Sequence, residues 1–316
     1  MDTIRVFGPV PSRRLGQSVG INNIPPKVCS YSCVYCQLGV SWDMSAERQA
    51  FYDPNELLAE VVEKLDRAGA NREGVDYLTL VADGEPTLDR NLGTLIGLLK
   101  PLGCKVALIT NASLVADPQV RAQIAQADWV SLKVDSLDER IWRKIDRPHK
   151  TLSLGPILSG IRAFAAEYQG MLVTETMLVA GLNEEVREVA AFIAGLEPAV
   201  SFLSIPTRPP AVKWVRPPAE QAINRAFHCF QEHGLKTELL IGYEGNEFAY
   251  TGKVEADLLS ITSVHPMRED AVREYLHKAQ GSFSMVEQLV AEEKMIVSEY
   301  RGERFYLRKL PSLSPD

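Results

Sequence analysis

Short, nearly continuous apolar runs alternate along this chain with segments whose apolar residues recur at helical spacing, a pattern that predicts an α/β fold. Strands are expected from Ser18 to Asn22, Tyr77 to Ala82, Lys105 to Ile109, Trp129 to Val134, Leu172 to Val179 and Val200 to Ile205. Between them, helices are expected from Pro54 to Ala68, Leu92 to Leu99, Asp117 to Gln126, Leu154 to Tyr168 and Glu184 to Leu196. The first helix carries Leu57, Leu58, Val61, Val62 and Leu65 on one face, behind Asp53 as N-cap and Pro54 in the first turn. Strands apolar on both faces need cover, so six strand–helix repeats predict a parallel sheet layered with helices. Pattern alone leaves an open doubly wound sheet as the alternative to a barrel.

The pattern then breaks at Pro206, Pro209, Pro210, Pro217 and Pro218, which mark a linker. A helix from Ala219 to His233 and a strand from Thr237 to Ile241 follow. Beyond Gly252, amphipathic helices are expected from Arg268 to Ala279 and from Ser284 to Glu293. Strands from Met295 to Tyr300 and from Glu303 to Arg308 flank a hairpin turn at Arg301-Gly302. Helix, helix and hairpin in this order resemble a winged helix. The expected division is therefore a core domain over 1–252 and a winged-helix-like domain over 253–316.

Composition narrows the classes. The 316 residues are 46% hydrophobic and 24% charged, as in an ordinary globular protein. No apolar run has the length of a membrane span, and Met1-Asp2-Thr3-Ile4-Arg5 does not read as an export signal. A cytoplasmic location without a membrane partner is expected. The net charge of −7 gives no general attraction to nucleic acid. From Leu258 to Leu310 eight basic residues are balanced by eight acidic ones, and the segment Ser284 to Glu293 has no Arg or Lys to read bases. Only the hairpin, with Arg301, Arg304, Arg308 and Lys309, offers a basic wing.

Three of the five cysteines lie within eight residues, as Cys29, Cys33 and Cys36, with Tyr35 before the last. Clustered cysteines in a reducing compartment read as metal-binding, whereas Cys104 and Cys229 read as buried small side chains. Three thiolates can hold three corners of an iron–sulfur cube and leave the fourth iron open for chemistry. A zinc site is the alternative, but no second Cys-x2-Cys or His pair supplies its fourth ligand.

Cys-x3-Cys-x2-Cys with an aromatic before the third Cys resembles the signature of the radical S-adenosylmethionine (SAM) enzymes. The flanking stretches Phe7 to Gly16 and Gly20 to Asn23 resemble their wyosine-synthase-like branch and its bacterial iron–sulfur oxidoreductase relatives, with matching motifs to about Tyr250. The resemblance implies a partial (β/α)6 TIM-type barrel with its motifs at the carboxyl ends of strands. It implies a 4Fe-4S cluster on Cys29, Cys33 and Cys36, with SAM chelated at the open iron. One electron, from a flavodoxin- or ferredoxin-like donor, then splits the sulfur–C5′ bond. The products are methionine and a 5′-deoxyadenosyl radical that abstracts hydrogen from a substrate.

The same resemblance assigns cofactor contacts. Tyr35 would lie against adenine. Asp83-Gly84-Glu85-Pro86 resembles a Gly-Gly-Glu-Pro motif with Asp83 in place of the first glycine, and would offer acceptors to the methionine ammonium. Thr110-Asn111 and Lys133-Val134-Asp135 fall where the family binds carboxylate and ribose, with Lys133 on the carboxylate and Asp135 on a ribose hydroxyl. A surface Lys133–Asp135 pair and an ordinary Asn-Ala-Ser turn are the plain alternatives. For substrate, alternation points either Glu175 or Thr176 inward, and Arg208 follows the sixth strand. Arg13-Arg14 and Arg147-Pro148-His149 are further rim candidates for gripping a carboxylate or phosphate, unless each pairs with a neighbouring acid.

The leading expectation is a radical SAM enzyme acting on an unidentified protein or peptide, small molecule or tRNA. A tRNA base modification like wyosine synthesis is one alternative. No cysteine precedes Cys29, so the second cluster of those synthases has no ligands here. A cluster-based redox regulator that binds DNA through its tail is the other.

Overall fold

The computed structural model describes residues 4–67, 74–241, 253–264 and 266–309. The expected domain boundary after 252 and the reach of the resemblance to Tyr250 fall on 242–252, outside the described residues.

Eight strands form one sheet: β1 Val6–Ser12, β2 Gly16–Ile21, β3 Tyr77–Leu80, β4 Lys105–Thr110, β5 Trp129–Lys133, β6 Met171–Met177, β7 Val200–Ser204 and β8 Thr237–Leu240. Their order in space is their order in the chain, and every pair from β2 to β8 is parallel. Helical crossovers of one hand, repeated around such a sheet, keep the helices on one face and curl the other inward. The result is a half-barrel, in agreement with the partial barrel expected. The helices are α1 Pro54–Arg67, α2 Leu92–Leu99, α3 Pro118–Ile124, α4 Glu139–Ile145, α5 Leu154–Glu167, α6 Arg187–Ala194 and α7 Glu220–Glu232.

Alternation along the strands sets the two faces. Val19, Leu78, Val106, Leu108, Val130 and Leu132 point outward into a core with Leu57, Leu95 and Ile161 of the helices. Each such side chain, removed from water, contributes on the order of 2 kcal/mol. On the inner face Leu15, Ala107, Trp129, Val173 and Phe202 fill the half-barrel towards the strands' amino ends.

Two parts of the sheet differ from expectation. β1 was not expected, because Pro9 and Pro11 argue against a strand. It is an edge strand, antiparallel to β2 alone, where a missing N–H need not break a ladder. The expected strand near Thr237 adds a seventh parallel strand to the six expected in the sheet, with Thr237 opposite Ser201.

After residue 252 come α8 Val254–Val264, β9 Met267–Arg268, α9 Glu269–Lys278, α10 Phe283–Ala291, β10 Met295–Tyr300 and β11 Glu303–Arg308. The last four follow the expected helix, helix and hairpin; α8 and β9 were not expected. The three strands pair in the order β9–β11–β10. Leu258, Met267, Tyr275, Leu276 and Leu289 form a core that also takes in Phe7 and Val10 of β1. The sheet edge is thereby covered by the C-terminal module. Tyr300 Oη donates to the Pro206 carbonyl at 2.9 Å, tying the hairpin to the segment after β7. Among the described residues no helix is long and apolar enough to cross a membrane.

Candidate active site

A cavity of about 310 Å³ opens at the carboxyl ends of the strands. Cys29, Cys33 and Cys36 line it together with Tyr35, Gly84 and Glu85. Thr110, Asn111 and Lys133 reach it from β4 and β5, and of the substrate candidates Arg13, Arg14, Glu175 and Arg208 border it as well. Residues that are far apart in sequence thus share one cavity. Pro86 and Asp135 are not among the lining residues.

The cysteine loop is anchored from behind. Val28–Cys29 pairs with Asp43–Met44, and the Cys36 N–H donates to the Cys33 carbonyl at 3.1 Å. Ser32 N–H donates to the Asp146 carbonyl at 3.0 Å, and His149 N–H donates to the Ser30 carbonyl at 2.8 Å. The segment Arg147-Pro148-His149, expected near the rim, is therefore a backbone support for the loop, and none of the three lines the cavity. Burial, aided by the nearby Glu85, pushes the Cys29 thiol up to about 12, and burial likewise raises Cys33 and Cys36. Thiols so placed need a bound cation to stay ionised. Among the described residues no three His, Cys, Asp or Glu side chains are gathered closely enough for a single metal ion. That does not count against a cluster, because a cube spreads its three thiolates over three irons. The donor set fits: thiolate ligands only, and an amide from Asn111 Nδ2 at 3.7 Å from Cys29 Sγ.

Gly84 is required by chain packing. A Cβ there would lie 1.8 Å from the Val28 carbonyl oxygen, which accepts from Glu85 N–H at 3.2 Å. The turn is thus pressed against the start of the cysteine loop. The Glu85 carboxylate accepts from Thr87 N–H at 3.0 Å, Thr87 Oγ1 at 2.5 Å, Thr110 Oγ1 at 2.6 Å and Asn111 N–H at 2.8 Å. Burial raises its pKa against the pull of these bonds. Glu85 locks the ends of β3 and β4 together, and Pro86 opens the short turn Pro86–Leu88 that it caps. Pro86 therefore serves the turn and not the cavity wall.

On the other wall, the charged groups are paired with each other. Lys133 Nζ lies 3.4 Å from Glu175 Oε1 and 3.8 Å from Asp135 Oδ1, and 5.0 Å from the centre of the Tyr35 ring. This is a largely buried network, not a surface pair. Arg14 also binds Glu175, and Ser204 Oγ donates to it at 3.0 Å. Burial alone would raise Glu175; Lys133 and Arg14 pull it down to about 2 instead. Burial opposes the Lys133 charge too, but Asp135 and Glu175 hold its pKa above the ordinary lysine range. Alternation is resolved: Glu175 faces the cavity, whereas Thr176 donates to the Val134 carbonyl.

Asp135 departs from expectation. β5 ends at Lys133, so the turn beyond it breaks the strand's alternation. Its oxygens accept from Met177 N–H at 2.8 Å and Tyr35 Oη at 2.5 Å, behind the cavity wall. Tyr35 Oη also lies 3.0 Å from Asp146, whose carboxyl is 3.4 Å from Cys33 Sγ. Burial and the neighbouring Asp135 push Asp146 up. Sequence reasoning missed Asp146, which carries no local signal. Arg208 donates to Gln37 at 2.6 Å, a second residue that was not expected.

Lys27 and Asp83 were missed as charges. Lys27 is 5% exposed and Asp83 is 3% exposed, and both border the cavity. Among the described residues, Lys27 Nζ and Asp83 Oδ1 have no hydrogen-bond partner. Burial pushes Lys27 below the ordinary lysine range and drives Asp83 up to about 7, against the opposing pull of Lys27 and Arg308.

The profile of the Radical SAM superfamily matches residues 23–193. A UPF0026 protein of Methanocaldococcus jannaschii is 46% identical over 311 residues, covering 97% of this chain and 96% of its own length. Among solved structures, TYW1 with a lysine-pyruvate adduct bound superposes with a TM-score of 0.53 at 17% identity, covering 69% of this chain and 75% of the other. A radical SAM methyltransferase from Sphaerobacter thermophilus gives 0.54 at 15% identity, covering 71% of this chain and 66% of the other. At such identities the two structures share the fold.

Proposed function

The chain belongs to the radical SAM superfamily, whose members are enzymes, and on that premise we propose that Cys29, Cys33 and Cys36 hold a 4Fe-4S cluster with one iron open to SAM. The observation that carries this reading is the convergence of three thiols with the turn at Gly84-Glu85 and the Lys133–Glu175 network in one cavity. When bound, cluster and SAM supply a one-electron reductive cleavage, giving methionine and a 5′-deoxyadenosyl radical that takes hydrogen from the substrate. A flavodoxin- or ferredoxin-like protein is the proposed electron source.

The chain's own residues do the positioning. Glu85 fixes the ends of β3 and β4, so Asn111 is held beside Cys29. Tyr35, pinned by Asp135 and Asp146, gives a rigid wall for the nucleoside. Arg13 and Arg208 at the cavity favour a substrate with a carboxylate or phosphate. Pro206, which borders the cavity, is fixed in place by the hairpin through Tyr300.

Anaerobic loading with iron and sulfide, followed by dithionite and SAM, should yield 5′-deoxyadenosine. A protein that takes up zinc alone and binds no iron contradicts the reading. Salt-sensitive retention of tRNA on a filter would direct the substrate search to RNA.

A further inference from the structure

Lys27 stands two residues before Cys29, at a left-handed backbone position with φ of 68°. Its N–H donates to the Asp83 carbonyl at 2.7 Å, and its carbonyl accepts from Trp42 N–H at 3.2 Å, so its backbone is fixed on both sides. The side chain runs beneath the turn that starts at Cys36, where Gly39 N–H donates to the Cys36 carbonyl at 3.1 Å. A Cβ on Gly39 would lie 3.4 Å from Lys27 Nζ, which places the ammonium directly under the residue that closes this turn. A buried ammonium without a hydrogen bond is costly unless a negative body lies close by. Lys133 is committed to Glu175 and Asp135, which leaves Lys27 as the lysine of this cavity whose surroundings are incomplete.

We propose that Lys27 is a fixed cation that sets the reduction potential of the iron–sulfur cluster, with Asp83 as its opposing charge. A cube held by three thiolates is net negative and becomes more so on reduction. A cation in a low-dielectric wall beside it therefore stabilises the reduced state, and an anion there destabilises it. The two residues are joined by the Lys27 N–H to Asp83 carbonyl bond at the cavity end of β3, and the charges of both Lys27 and Arg308 act on Asp83. Lys27 is thus a positioning residue acting on electron entry. This inference rests on the proposed cluster.

The test is an EPR-monitored redox titration of the loaded protein, in buffer well above the Asp83 value of about 7. Lys27→Met removes the cation and should lower the potential by at least tenfold in the reduction equilibrium, about 59 mV for one electron. Asp83→Asn removes the anion while keeping an acceptor for Asn22, and should raise the potential. Opposite signs are the signature, since general loosening of the site moves both variants the same way. An unchanged potential in Lys27→Met, or shifts of equal sign, overturns the inference. If Lys27→Met fails to hold a cluster, an unchanged or lowered potential in Asp83→Asn overturns it alone. Wild-type protein that takes up no cluster overturns the underlying reading as well, and a normal wild-type signal separates the two failures.

Discussion

Lys133 and Lys27 border one cavity from different walls. Lys133 is held by two carboxylates and lies over the Tyr35 ring, whereas Lys27 has no hydrogen-bond partner among the described residues. The nearby acids mirror the contrast: Glu175 is held down to about 2, and Asp83 is pushed up to about 7. One wall is complete within the chain and contributes to folding. The other carries a buried ammonium and a carboxylate oxygen without hydrogen-bond partners beside three thiols. A site can thus be half scaffold and half receptor, with the division running between residues of the same type.

The largest effect is expected from removing what the incomplete wall awaits. Cys33→Ala should lose the cluster, its colour and its iron; full iron and sulfide content in that variant contradicts the assignment. Next comes a direct comparison of the lysines in the metal-free protein. Lys133→Met leaves buried carboxylates short of a partner and should cost about 3 kcal/mol in urea unfolding. Lys27→Met removes an unpaired buried charge and should stabilise by about 1–2 kcal/mol. Losses of similar size in both would erase the distinction between the walls.

The acids sharpen it through pH. With its pKa raised, Asp83 keeps its proton in the folded state where the unfolded chain has lost it, so stability falls as pH rises from the usual carboxylate range through about 7. Asp83→Asn should flatten that slope. Glu175 acts oppositely: its contribution is full above the usual glutamate value and is lost as pH falls towards about 2. Urea midpoints across that range check both signs. The smallest effect is at the hairpin, where Tyr300→Phe deletes the bond to Pro206 and should cost about 1 kcal/mol; an unchanged midpoint means the contact carries no weight.

The parallel, helix-covered sheet was legible because its strands are short apolar runs separated by periodic helices, whereas its curling into a half-barrel was carried by the family resemblance, since the pattern fits an open sheet equally well. What escaped was decided by context. Pro9 and Pro11 hid β1, which only an edge position tolerates. α4, with Arg140, Arg143 and Lys144 among its seven residues, gave little apolar period, although Asp138 caps it. At the site, spacing alone revealed the thiols; alternation left Glu175 and Thr176 undecided, and Lys133 was marked by its resemblance to the family's cofactor-binding position. Asp135, expected from the resemblance at a ribose hydroxyl, is instead bonded to Met177 N–H and Tyr35 Oη and does not line the cavity, partners that no local sequence signal reveals. Lys27 follows Pro25-Pro26 and reads as a solvated lysine; it is buried only because the turn after Cys36 folds back over it.

EPR of the reduced, loaded protein tests most directly whether Cys29, Cys33 and Cys36 hold a cube with one iron left for SAM. Adding SAM should change the spectrum, because the sulfonium compound then ligates the open iron. A reduced-cluster spectrum identical with and without saturating SAM would contradict the account.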